Sequence, residues 1–133
     1  MGRLRALLVD DNPQFLEVAA RFLTSHSDIE VVGIAGSGRE ALLKVHDLNP
    51  EVVVMDLSMP EMNGLEATRQ IKALPEAPCV VILTLYEGVE IPAFAEEAGA
   101  DQFVTKSDFG DRLLPELSRL FPKLHVHNTN ECV

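Results

Sequence analysis

Five polar residues stand where short apolar runs end: the pair Asp10-Asp11, then Asp56, Thr84 and Lys106. Three carboxylates gathered in one place repel one another and are costly unless a cation neutralises them. An all-oxygen set favours a hard ion. Mg²⁺ suits it best, because it takes few protein ligands and completes its shell with water. A lysine and a threonine beside such a metal make a site for a phosphoryl group. The metal and Lys106 would neutralise its oxygens while Thr84 donates a hydrogen bond. One carboxylate could then be the nucleophile and form an aspartyl phosphate. Asp56 is the best candidate, because its run is central, with the acidic pair to one side and Thr84 and Lys106 to the other. Phosphoryl transfer asks mainly for positioning and charge stabilisation, which this set supplies. Singly, each residue has an ordinary role: a helix cap for Asp10 or Asp11, a strand position for Thr84, a solvated surface for Lys106. It is the set that points to chemistry.

Those residues must be brought together by the elements they end. The apolar runs cover residues 4–9, 30–35, 52–55, 79–83 and 102–105. They are near-continuous and rich in β-branched residues, as strands covered on both faces require. Between them the apolar residues recur at helical spacing. Asn12-Pro13 is a helix start with Asn as cap and Pro at the first helical position. Phe15, Leu16, Ala19, Phe22 and Leu23 then share one face. Ser37-Gly38-Arg39-Glu40 matches a capping box before Ala41, Leu42, Val45 and Leu48. Asn63 with Glu66 opens a third helix carrying Leu65, Thr68 and Ile71. A fourth is expected over residues 89–98, ended by Gly99 as a left-handed cap. The last carries Leu113, Leu117, Leu120 and Phe121. Pro115 is tolerated only in a first turn, so that helix is expected to begin near Gly110–Arg112. Five strand–helix units in a row imply a parallel sheet with helices on both faces and right-handed crossovers. Ligands of such sheets sit at the carboxyl ends of the strands, where the five polar residues lie.

The chain has 133 residues, enough for one domain and too few for two ordinary ones. Its 47% apolar content argues against global disorder. With 11 Lys and Arg against 21 Asp and Glu, the formal charge is −10. Such a domain repels phosphate backbones and anionic membranes, so neither nucleic acid nor a membrane surface is an expected partner. No apolar run is long enough for a bilayer span or a signal peptide. Cys79 and Cys132 make no disulfide framework, and a cytoplasmic domain is the expected class. Gly33-Ile-Ala-Gly36-Ser-Gly38 reads GxxGxG, which is neither a dinucleotide fingerprint nor a P-loop.

Four segments carry a resemblance: Val9-Asp10-Asp11-Asn12, Val54-Met55-Asp56-Leu57-Ser58-Met59-Pro60-Glu61-Met62-Asn63-Gly64-Leu65, Ile82-Leu83-Thr84, and Ala98-Gly99-Ala100-Asp101-Gln102-Phe103-Val104-Thr105-Lys106-Ser107. Over about residues 4–121 the chain resembles the receiver domain of two-component response regulators. The D-L-x-M-P-x-M-N-G stretch is highly specific for it, and the wording around Lys106-Ser107 is most similar to the NarL/FixJ-type subfamily. The resemblance implies a flavodoxin-like, doubly wound (βα)5 α/β fold with a five-stranded parallel sheet in the order 2-1-3-4-5. Residues 1–122 would be the receiver and 123–133 a C-terminal tail. Asp56 would be the phosphoacceptor. Mg²⁺ would be held by Asp10, Asp11, Asp56 and the backbone carbonyl of Ser58. Thr84 and Lys106 would contact the phosphoryl oxygens, and Phe103 would be a rotating switch aromatic working with Thr84. The phosphate would come from a histidine kinase or a phosphotransfer protein. A changed face of the fourth helix, fifth strand and fifth helix would then control a downstream protein partner, with room for a phosphorylation-dependent dimer. The domain would assist its own phosphorylation and dephosphorylation without being an enzyme.

Three departures stand out. The family usually has Pro, often after a cis peptide, where this chain has Ser107. A non-proline cis bond costs about 3 kcal/mol, so the Lys106–Ser107 geometry is left open. Leu85 stands where the family has a small residue, and is expected to narrow access to Asp56 and prolong the phosphorylated state. The helix-turn-helix domain usual in NarL/FixJ-type proteins does not follow, so a stand-alone receiver is expected ahead of a fragment of a DNA-binding transcription factor. A rival reading is an Mg²⁺-dependent phosphohydrolase of the haloacid-dehalogenase type. Those enzymes carry D-x-D after the first strand, where this chain has Asp10-Asp11.

Overall fold

The computed structural model describes residues 3–26, 28–85 and 91–122. Strands β1 (Leu4–Val9), β2 (Ile29–Ala35), β3 (Val52–Asp56), β4 (Cys79–Thr84) and β5 (Gln102–Thr105) alternate with helices α1 (Pro13–Thr24), α2 (Gly38–Leu48), α3 (Gly64–Lys72), α4 (Ile91–Ala98) and α5 (Phe109–Leu120). The strands form one sheet in the order β2-β1-β3-β4-β5, and every neighbouring pair is parallel. This is the expected doubly wound topology. The order reverses at β1, so the ends of β1 and β3 flank the crevice where such sheets bind ligands.

Two apolar layers hold the sheet. One face packs Leu4, Ala6, Leu8, Val54 and Leu83 against Leu16, Ala19 and Leu23 of α1 and Leu113 and Leu117 of α5. The other packs Leu7, Val9, Val53, Met55 and Ile82 against Ala41 and Val45 of α2 and Ala67 and Ile71 of α3. Consecutive strand residues feed opposite layers, as the period of two requires. All five residues of β3 are buried, which is why its sequence shows an unbroken apolar run. Each fully buried Leu or Ile contributes about 1.5–3 kcal/mol of transfer free energy, so the rim chemistry stands on a stiff floor.

The helix starts follow the residues expected to set them. Asn12 Oδ1 accepts the N–H groups of Gln14 and Phe15, with Pro13 next in line. Asn63 Oδ1 accepts the Glu66 N–H at 2.9 Å. Gly99 takes φ 98° after α4, the left-handed conformation that glycine adopts without strain. The capping box at Ser37 is only half formed. Ser37 Oγ accepts the Glu40 N–H, but Glu40 Oε1 reaches the N–H of Gly36 rather than that of Ser37. That bond is 2.7 Å long and holds the Glu40 carboxyl below its usual pKa.

The expected start of the last helix is corrected. A 3₁₀ turn over Lys106–Asp108 runs directly into α5 at Phe109, so Pro115 lies in the second turn rather than the first. The helix survives because Pro115 and Asp111 both face water. Pro115 has no N–H to donate to the carbonyl one turn earlier, and on an exposed helix face water can take that place at less cost than in a core. Among the described residues no peptide bond is cis, so the Lys106–Ser107 bond is trans. The expected helix start at residue 89 and the tail 123–133 lie outside the described residues.

Candidate functional site

Asp10 is the first residue past β1, Asp56 closes β3 and Thr84 closes β4. Lys106 follows β5 and opens the 3₁₀ turn. The sheet register sets them side by side: Val9 faces Met55, Asp56 faces Leu83, and Thr84 faces Thr105. The spacing of polar residues at strand ends is thus converted into one cluster. Asp10 and Thr84 are 1% exposed and Asp56 is 5% exposed, whereas Asp11 is open to solvent. One carboxylate oxygen from each of Asp10, Asp11 and Asp56 lies within 4.8 Å of the others.

The Lys106 ammonium sits among these acids, 2.6 Å from Asp10 Oδ2 and 3.3 Å from Asp56 Oδ1. Burial works against its charge. The hydrogen bond to Asp10 and the charges of Asp56 and Asp10 outweigh burial and raise its pKa. Asp10 is divided between two tasks. Its Oδ1 accepts the Asn12 N–H at 2.9 Å. Its buried Oδ2 pairs with the Lys106 ammonium. Asp56 is pushed up to about 6, first by burial and then by the Asp10 charge, with Lys106 opposing both. Such a perturbed carboxylate at the floor of a rim is a mark of functional sites.

Close packing under Asp56 depends on Gly64. A Cβ there would stand 2.3 Å from the Asp56 carbonyl oxygen and 3.0 Å from Leu57 Cα. The Gly64 N–H instead donates to the Leu57 carbonyl, and the Leu57 N–H donates to the Leu83 carbonyl. The loop bearing Ser58 is thereby pinned to the sheet. Ser58 is exposed and lines a shallow depression with Leu57, Met59, Pro60, Asn63 and Leu65. Phe103 is half-buried and packs against the layer that contains Ile82 and Met55. Leu85, the residue after Thr84, is 79% exposed.

The structure adds a residue that the sequence pattern assigned only to the core. The ring of Phe15 lies 4.5 Å from Lys106 Nζ, centroid to nitrogen. Its helical spacing with Leu16 and Ala19 signals burial and is silent on Lys106, which lies far away in sequence. Gly64 carried no separate signal either, although it falls within the D-L-x-M-P-x-M-N-G stretch.

The sequence pattern of the response regulator receiver domain matches residues 6–117. The chain belongs to that family. It is the receiver domain of a two-component response regulator, a signalling phosphoacceptor domain with the fold of CheY-like receivers. The response regulator protein VraR of Staphylococcus aureus is 39% identical over 105 residues, covering 78% of this chain and 50% of VraR. The chain therefore spans about half the length of the curated relatives it matches. A LuxR-family two-component response regulator from Aurantimonas superposes with a TM-score of 0.84 at 34% identity, covering 90% of this receiver and 85% of that chain. The response regulator domain of Thermotoga maritima CheB gives a TM-score of 0.78 at 32% identity, covering 92% and 96%.

Proposed function

We propose that this receiver takes a phosphoryl group from a histidine kinase, or from a phosphotransfer protein, onto Asp56. The observation that carries the reading is the convergence of Asp10, Asp11, Asp56 and Lys106 at one strand-end rim. Its donor set fits Mg²⁺: one carboxylate oxygen from each of Asp10, Asp11 and Asp56, all within 4.8 Å of one another, an all-oxygen set suited to a hard ion. Asp10, Asp11, Asp56 and the Ser58 carbonyl would hold the ion. When bound, it supplies positive charge to the phosphoryl oxygens.

In the transfer step, an Asp56 carboxylate oxygen attacks phosphorus. The new O–P bond forms as the P–N bond to the donor imidazole breaks, and that bond's electron pair returns to the imidazole. Asp56 must be ionised to attack, and at neutral pH a carboxyl with a pKa near 6 is mostly so. Lys106 brings its ammonium to the phosphoryl oxygens from 3.3 Å beside Asp56 Oδ1, and Thr84 donates its hydroxyl from the next strand end. The phosphorylated form favours a second conformer in which Thr84 and Phe103 turn toward the phosphate. That conformer reshapes the α4-β5-α5 face for a downstream protein partner, or for a second copy of the domain. The receiver occupies residues 1–122 and assists its own phosphorylation and dephosphorylation without turning over small substrates. Among the described residues no helix is long and apolar enough to cross a membrane, and a cytoplasmic setting belongs to the same reading.

Incubation with acetyl phosphate and Mg²⁺ tests this. One phosphoryl group per chain, lost in Asp56→Asn, is the expected result. Many turnovers of a phosphomonoester would replace the reading with that of a phosphohydrolase.

A further inference from the structure

We infer that Phe15 is a positioning residue for Lys106, an assignment that rests on the proposed role of Lys106 at the phosphoryl group. The ammonium meets Asp10 Oδ2, Asp56 Oδ1 and the face of the Phe15 ring at 4.5 Å. The two carboxylates hold it by hydrogen bonds and charge. When a phosphoryl oxygen arrives, it competes with them for the same N–H groups. The ring does not, because a cation over an aromatic face is held by the ring quadrupole whichever way its hydrogens point. Phe15 therefore keeps the nitrogen in place while its hydrogen bonds are exchanged. The ring also shields the ammonium, whose side chain is only 13% exposed, so its charge acts undiluted by water.

The ring is itself fixed. Phe109, the first residue of α5, meets it edge-on with centroids 5.4 Å apart at 73°. Phe109 is buried, and its ring also lies 5.5 Å from that of Phe22. The backbone closes a loop through the same residues. The Phe15 N–H donates to Asn12 Oδ1, the Asn12 N–H donates to Asp10 Oδ1, and Asp10 Oδ2 returns to Lys106. Ring, cap, carboxylate and ammonium form one closed circuit. A shift of α1 thus moves Lys106 relative to Asp56, and a merely space-filling residue at position 15 would leave that circuit open.

The test uses the full chain, acetyl phosphate and Mg²⁺, and measures the initial rate of Asp56 labelling. Phe15→Leu is expected to slow labelling about three- to tenfold, and Phe15→Tyr to hold it near the wild-type rate. Stepwise fluorination of the Phe15 ring keeps its shape and weakens the quadrupole, so the rate should fall in step with fluorine count even if the leucine variant folds poorly. In a Lys106→Ala background, Phe15→Leu should slow labelling no further. A flat fluorine series, equal losses in the tyrosine and leucine variants, or a full further loss without Lys106 would overturn the assignment. The functional reading is tested separately. If Asp56→Asn still labels, or Lys106→Ala labels at the wild-type rate, that reading fails whatever position 15 does. If both behave as expected and the fluorine series is flat, only the assignment of Phe15 fails.

Discussion

Replacing Asp56 by Asn should make the metal-free protein more stable at neutral pH. The Asp56 carboxyl has a pKa of about 6 in the fold against 3.8 for an unperturbed aspartate, with burial the first cause and the Asp10 charge the second. A raised carboxylate pKa means that the folded protein binds the proton more tightly than the unfolded chain. Stability then falls as pH rises between those two values, and above about 6 the whole penalty is present. The gap corresponds to about 3 kcal/mol. The amide of the Asp56→Asn variant keeps the shape and removes the charge. It also gives up the attraction to Lys106 at 3.3 Å, which leaves Lys106 paired with Asp10 alone. The net gain expected at pH 7.5 in EDTA is about 1–3 kcal/mol, seen as a rise of roughly 3–10 °C in Tm for a domain of this size. Near pH 4 the two proteins should converge, because wild-type Asp56 is then protonated in the fold. Saturating Mg²⁺ should narrow or reverse the difference, since the ion neutralises the acids of the wild type and binds the variant less well. The assay is thermal or urea unfolding at half-unit pH steps from 4 to 8, with EDTA or Mg²⁺. Parallel curves for the two proteins over that window, or a variant less stable than the wild type in EDTA at pH 7.5, would refute the account of Asp56 as a buried, repelled carboxylate.

Other outcomes follow from single contacts. Leu85→Ala should dephosphorylate about two- to fivefold faster in a phosphate-release assay, because a side chain that is 79% exposed beside Thr84 acts on access rather than on the core; an unchanged rate sinks the idea. Gly64→Ala should lose about 2–3 kcal/mol in urea unfolding, because its Cβ would stand 2.3 Å from a backbone oxygen that has no flexible end to give way. Asn12→Ala should lower stability by about 1 kcal/mol through the lost cap of α1, whereas Asn12→Asp should keep most of it.

The alternation of strands and helices was legible because the central strands β1, β3 and β4 are covered on both faces while α1, α2, α3 and α5 bury one face each. Those two kinds of burial leave different periods in the sequence. Pro115 shows where such reading stops. Its effect depends on whether the carbonyl one turn earlier faces water, which is a property of the packed helix and not of the proline. The half-formed box at Ser37 is similar. The residue types permit the reciprocal bond, but Gly36 offers its N–H to Glu40 from one residue earlier, and the pattern of letters does not separate the two.

The site divides along the same line. Asp10, Asp11, Asp56, Thr84 and Lys106 were legible because they sit at strand ends, and a parallel sheet carries all its strand ends to one rim. For them, position in the chain is almost position in space. Phe15 and Gly64 reach the rim by a different route. Phe15 comes from inside a helix, and its contact with Lys106 exists only because α1 and the start of α5 pack on the same face of the sheet. Gly64 matters through the distance between a helix start and the backbone of Asp56. No periodicity encodes that kind of proximity. The acids and the ammonium define which chemistry is available, while the residues that fix their distances come from the two layers that hold the sheet. A substitution in those layers should therefore change the rate of labelling without changing which residue is labelled, whereas a substitution at Asp56 should abolish it.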